Sequence, residues 1–287
     1  MKTIVTLDIF SGRPNPTWVL SDDHSEQLAE RASAAQELTM QKPAGALSGL
    51  GYRGFLVSHV ADAAPVQPAF HLHEGIIDSG PGQPNLVHKD RELEKWLLST
   101  AGAAVADEVR SHVETEIAKP ALVASDFLRG VPPKCPLCVA HDAPPYNPAK
   151  WNIPAVQPFN NCYNYANDQI TNTFAQPGRA HGKPITSLSC PGVEPSAHAD
   201  GLVNSPNFSH PLAAGQGWYV ALVIWPGVDY HWYRQDNVGC WSHKPGSTPA
   251  RNTDNAGHPI SDPKTCNRGP YTVFCDYMIT SRRVVIR

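Results

Sequence analysis

The first 130 residues of this 287-residue chain contain no cysteine; all seven, at 135, 138, 162, 190, 240, 266 and 275, come later. Thiol, disulfide or metal–thiolate chemistry is therefore confined to the C-terminal half. Basic clusters are lacking too. A formal charge of −3 and a pI near 6.5 give no cationic footprint, and the Lys and Arg residues are dispersed without interleaved aromatics, so nucleic acid is not an expected partner. Long apolar runs are also absent: the longest, Trp218–Trp225, is far shorter than the roughly 20 residues that cross a bilayer. It reads as a buried strand, and no membrane span is expected. The N-terminal stretch, with Lys2 and Asp8 close together, lacks the continuous apolar segment of a classical signal peptide. No internal repeats are present.

What is present, at 41% hydrophobic residues, suffices for a sizeable core. The pattern is α+β, divided into a small N-terminal domain (1–118) of unassigned role, a proline-rich linker (119–158) and a C-terminal domain (159–287). The first opens with a strand over 3–10 and the turn Ser11-Gly12-Arg13-Pro14-Asn15-Pro16. A helix capped at Ser21 follows to about 38, then a turn into a strand over 51–60 and helices over 90–100 and 104–117. The 10–14 loop reads as an ordinary solvated Gly/Pro turn. The prolines of the linker prevent sustained helix or central strand, while Tyr146, Trp151 and Val156 predict that it packs on the C-terminal domain. That domain reads as a helix, a Pro/Gly/Ser-rich loop over 176–214 and a run of strands.

Chemistry concentrates at Cys162, preceded by Asn160 and Asn161, two residues able to cap a helix. A thiol in a first helical turn meets the positive end of the dipole and unpaired N–H groups, which favour thiolate. Cys162, Ala166, Ile170 and Phe174 fall four apart, placing the thiol on one helical face. His231 lies near the start of a predicted strand over 230–235 and His243 just beyond the next turn. If Asn237-Val238-Gly239 forms a three-residue loop with left-handed Gly239, Tyr233 pairs with His243, and His231, Tyr233 and His243 share a face. A four-residue loop would turn His243 away. On this reading Cys162 is the nucleophile and His231 the base, with His243 orienting it and Asp229, Asp236 and Asp254 as alternatives. Oxyanion stabilisation would come from the Cys162 N–H with Gln157, Asn160 or Asn161. Tyr163, Trp232, Tyr233 and Trp241 are the candidate substrate-binding residues.

Cys135-Pro136-Leu137-Cys138, followed by His141, has the spacing of half a zinc site, but no second close pair completes it, so neither metal nor cofactor is expected. A local disulfide or two distant partners is the alternative. If the six other cysteines pair among themselves, Cys162 is the odd one left over. Three disulfides without a signal peptide would imply export by another route.

The stretches Asn161-Cys162-Tyr163-Asn164-Tyr165-Ala166, Tyr230-His231-Trp232-Tyr233, Gly239 and Trp241-Ser242-His243 resemble the papain-like superfamily of bacterial cell-wall amidases and endopeptidases. The resemblance covers only the C-terminal domain. It implies a cysteine-bearing helix packed on an antiparallel sheet, a Cys162–His231–His243 triad and cleavage of an amide bond, with peptide or peptidoglycan as substrate. An amidase toxin with an immunity partner would fit the same picture. Two rival expectations are a thiol acyltransferase of the same fold and a non-catalytic, disulfide-stiffened module that stacks a sugar or peptide on Trp218, Trp225, Trp232, Tyr233 and Trp241.

Overall fold

The structure, a computed structural model, describes residues 2–37, 49–60, 68–80, 83–88, 91–119 and 134–287. The chain is α+β and forms two compact units. The first comprises residues 1–9, 15–47 and 52–124, and the second 10–14, 48–51 and 125–287.

In the first unit, β1 (Lys2–Leu7), β2 (Thr17–Val19), β3 (Gln36–Glu37), β4 (Phe55–Val60), β5 (Pro68–His73), β6 (Ile76–Asp78) and β7 (Leu86–Val87) make an antiparallel sheet ordered β2-β1-β4-β5-β6-β7-β3. β1 shows the period of two that buries one face: Val5 and Leu7 are fully buried and pair in register with Val57 and Phe55. Helix α1 (Asp22–Ser33) starts at the expected cap, where Ser21 Oγ accepts from His24 N, but ends before β3 instead of reaching residue 38. α2 (Glu92–Ser99) and α3 (Asp107–Ala118) follow, the latter burying Val109, Val113 and Ile117 as one stripe four residues apart. Two buried ionic contacts fix this unit. Arg53 Nη2 donates to Asp8 Oδ1 at 2.7 Å, and the buried Glu94 carboxylate accepts from Tyr52 OH, Gly75 N and Arg91.

The second unit is built on a five-stranded antiparallel sheet of β8 (Val203–Ser205), β9 (Trp218–Trp225), β10 (Asp229–Gln235), β11 (Trp241–His243) and β12 (Val273–Thr280), ordered β11-β10-β9-β12-β8. β9 is buried along its whole length, as its continuous apolar run requires. The β10–β11 hairpin has the three-residue loop: Asp236 N donates to Cys240 O, Gly239 has φ 89°, and Tyr233 pairs with His243. Helices α4 (Pro148–Trp151), α5 (Cys162–Ala166) and α6 (Cys190–Asp200) complete the unit.

Three expectations require correction. α5 is only five residues long, because the chain turns left-handed at Asp168, Asn172 and Phe174; Ile170 is 38% exposed and does not extend a buried helical face. The 176–214 segment, expected as loop, contains α6. Pro191 sits in its first turn, where a missing N–H costs little, Pro195 lies mid-helix and removes one intrahelical hydrogen bond, and left-handed Gly201 ends the helix. Among the described residues there are two disulfides, Cys135–Cys240 and Cys190–Cys275, not three; Cys138, Cys162 and Cys266 are free.

The described part of the proline-rich stretch belongs to the second unit. It is held by the Cys135 disulfide, by a bridge between Ala140 and Leu212, and by Trp151, whose ring centroid is 5.1 Å from that of Tyr165. Part of the expected linker, residues 120–133, lies outside the described residues. No helix of the described residues is long and apolar enough to cross a membrane.

Removing one partner of a buried ion pair strands the other without water. Asp8→Ala is expected to lower the unfolding free energy of the first unit by about 3–5 kcal/mol, with Asp8→Asn milder, measured as the shift in the urea midpoint by circular dichroism.

Candidate functional site

α5 starts where Asn161 caps it. The Asn161 side-chain oxygen accepts from Tyr163 N and Asn164 N, and Asn164 Oδ1 accepts in return from Asn161 N, a reciprocal capping box. The same Asn161 amide donates to Gly12 O and Ala175 O, both at 2.8 Å. Asn160 is equally committed, donating to Val156 O and Asn172 Oδ1 and accepting from Thr171 N and Asn172 N. The two asparagines expected to face an oxyanion are therefore structural clamps. The main-chain oxygen of the third candidate, Gln157, accepts from Lys244 Nζ at 2.6 Å. Lys244 also donates to Asn160 O and Gly246 O, so a fully buried ammonium holds the approach to α5 with three carbonyls.

Cys162, His231 and His243 do come together, but with a fourth residue, Ser11, among them. Ser11 Oγ lies 2.5 Å from His231 Nδ1, and His231 Nε2 lies 2.9 Å from His243 Nδ1. His243 Nε2 is 3.1 Å from Thr253 O. A carbonyl only accepts, which assigns the proton of a neutral His243 to Nε2 and leaves its Nδ1 as acceptor. His231 then donates from Nε2, its Nδ1 accepts, and Ser11 Oγ–H is the donor to it. Cys162 Sγ closes the chain through hydrogen bonds with Ser11 Oγ and the backbone N–H of Trp232. Tyr233 packs against both rings: it stacks on His243 with centroids 4.9 Å apart, and meets His231 edge-on at 4.6 Å.

The loop bearing Ser11 is held from several sides. Asp229, fully buried, accepts from Ser11 N at 2.6 Å, from Gly12 N and from Tyr271 OH. Gly12 O accepts from Tyr230 OH, Asn161 Nδ2 and Gln176 Nε2. A side chain at Gly12 would place its Cβ 2.4 Å from the Tyr230 ring, so only glycine fits. The 10–14 segment, expected to be a solvated turn, is thus an internal part of the second unit. Nothing local in Phe10-Ser11-Gly12-Arg13-Pro14 marks partners more than 200 residues away. Of the alternative orienting residues, Asp229 anchors this loop and Asp236 pairs with buried Arg234 at 3.0 Å, while Asp254 accepts from Ala256 N, His258 N and Asn267 N.

Electrostatics follows from burial. Cys162 is fully buried, and desolvation, with a further contribution from Asp229, pushes its thiol well above the usual range, outweighing the hydrogen bonds and Lys244, which act the other way. The helix dipole that was expected to favour thiolate comes from five residues inside the core, and burial wins. Asp229 is raised too, mainly by desolvation. Tyr163, Trp232, Tyr233 and Trp241 are fully buried and Trp218 and Trp225 nearly so, so no ring of this set offers a stacking face to a ligand from solvent. The one metal-type grouping among the described residues, Cys190, Glu194 and Cys275, has both sulfurs in a disulfide, which removes them as ligands.

Fold and site together define an α+β protein whose disulfide-stapled C-terminal unit encloses a hydrogen-bonded Cys–Ser–His–His chain. No protein-family model matches the sequence, and no solved structure matches it. Insoluble matrix shell protein 1 of Ruditapes philippinarum is 49% identical over 135 residues, which are 46% of this chain and 87% of that protein. The chain belongs to the family of that shell matrix protein. This relationship overturns the expectation of a cysteine hydrolase, and with it the protease, amidase and toxin readings: a matrix protein points to a structural role. The sealed thiol is the physical counterpart of that correction.

In the native protein, iodoacetamide is expected to modify the half-buried Cys138 and Cys266 before Cys162, which should react only at the rate of unfolding. Peptide-resolved labelling at neutral pH against the unfolding rate checks this.

Proposed function

We propose that this chain is a non-enzymatic structural component of an extracellular matrix. Its C-terminal unit would be a papain-like scaffold in which the cysteine and histidines serve as core. The family relationship with a shell matrix protein carries this reading. Three features of the chain support it. The Cys162 thiol is closed to water and pushed by burial toward its protonated form, the two histidines are committed to a hydrogen-bond chain ending on a carbonyl, and two disulfides span 105 and 85 residues. Disulfides persist in oxidising surroundings, which agrees with an extracellular destination. They limit the unfolded ensemble and so stabilise the folded unit. A short α5 set against the antiparallel sheet, with Tyr163 and Trp232 rings 5.3 Å apart, supports the scaffold assignment. A matrix component takes the place of peptidoglycan and an immunity protein as the partner.

The test is partition of the purified, oxidised full chain between solution and washed shell matrix of Ruditapes philippinarum. Wild type and Cys162→Ser should sediment with the matrix to the same extent. A chain that stays in the supernatant, or retention that disappears with Cys162→Ser, contradicts the proposal.

A further inference from the structure

The Cys135-Pro136-Leu137-Cys138 motif uses one of its sulfurs and leaves the other free. Cys135 is bonded to Cys240 across 105 residues of sequence, with Cα atoms 4.9 Å apart, while Cys138 is a free thiol. The motif lies flat on the β10–β11 turn. A Cβ built on Gly239 would stand 1.6 Å from Pro136 O and 2.8 Å from Cys138 N, so the Cys138 backbone abuts the residue just before Cys240. Cys138 Sγ is 3.6 Å from both Ala140 O and Gln235 Oε1, and the Gln235 amide donates to Gly239 O at 3.4 Å. In contrast to the sealed Cys162, all three sulfur-bearing residues are only half-buried. Leu137 and Val238 beside them are 88% and 66% exposed, which places the group at the surface.

We propose that Cys135, Cys138 and Cys240 form a thiol–disulfide exchange site in which Cys138 displaces Cys240 from Cys135. Cys138 gives up its proton to solvent, and the thiolate attacks Cys135 Sγ. The Cys138–Cys135 bond forms as the Cys135–Cys240 bond breaks, and the electron pair leaves on Cys240, which takes a proton from solvent. One disulfide and one thiol stand on each side, so no oxidant or reductant is consumed. The exchange replaces a staple between distant segments with a closed C-x-x-C ring and presents a thiol at Cys240 beside Val238. The fold already holds Cys135 and Cys240 with Cα atoms 4.9 Å apart, within the range a disulfide needs, which keeps Cys135–Cys240 the dominant form of the folded chain and Cys240 thiol a minor one. Burial, aided by Asp236, holds the Cys138 thiol above its ordinary range, so the exchange accelerates as pH rises.

Trypsin separates the two states. Cleavage after Lys134 and Lys150 places Cys135 and Cys138 on one peptide, and cleavage after Arg234 and Arg251 places Cys240 on another. The full oxidised chain is held at pH 6.5, 7.5 or 8.5, quenched in acid, alkylated with N-ethylmaleimide and mapped by mass spectrometry. Wild type should yield peptide 135–150 with an internal disulfide together with alkylated Cys240, appearing about tenfold faster per pH unit while thiolate is the minor species. Cys138→Ser fixes the baseline, with Cys240 staying linked to Cys135. Cys240 labelling in wild type that never exceeds the Cys138→Ser level, or an internal disulfide that never appears, overturns the proposal.

Discussion

A single line of hydrogen bonds running from Cys162 through Ser11, His231 and His243 to Thr253 sets the terms for the C-terminal unit. It has an order because it ends on an acceptor. The Thr253 carbonyl takes the His243 Nε2 proton at 3.1 Å, and every earlier link must then point the same way. Deep in a protein, each of these groups would be expensive without its partner. The arrangement is therefore mutually dependent. The capped start of α5, the Gly239 turn and the 10–14 loop must all be in place for one chain of neutral donors and acceptors to close.

The same dependence separates structural from catalytic use of similar side chains. A nucleophilic cysteine requires a route for substrate and a base able to hold its proton. Here both nitrogens of His231 are engaged, one by Ser11 and one by His243, and desolvation favours the protonated thiol. Asp229 strengthens this state. It fixes Ser11 through its backbone while its charge disfavours thiolate nearby. The relationship with a shell matrix protein and the local physics thus agree in arguing against a cysteine hydrolase. The two disulfides act on the same unit from its half-buried periphery.

Short-range features were legible in the sequence. Asn161 could be read as a cap because side-chain capping is decided within three residues, while the Tyr233–His243 register was one of two the turn allowed, and left-handed Gly239 selects it. The α+β class and β9 followed from periodicity and a continuous apolar run. What escaped was long-range. Ser11 lies 220 residues from His231, and a Ser-Gly-Arg-Pro turn looks the same whether it is solvated or buried. Helix length was overestimated because Asp168, Asn172 and Phe174 adopt positive φ, which tertiary hydrogen bonds impose and propensity does not announce. Cysteine parity picked out Cys162 as unpaired, yet Cys138 and Cys266 are unpaired as well. Burial, which reverses the expected thiol chemistry, is a property of the assembled unit and not of the motif.

The protonation order of the cluster is the central claim, and nitrogen-15 NMR of the histidine side chains reads it directly. In the native protein at neutral pH His231 and His243 should both carry a single ring proton, at Nε2, with Nδ1 bare. An imidazolium signal from His231 that depends on Cys162, present in wild type and absent in Cys162→Ser, would reveal a thiolate–imidazolium pair and contradict the account.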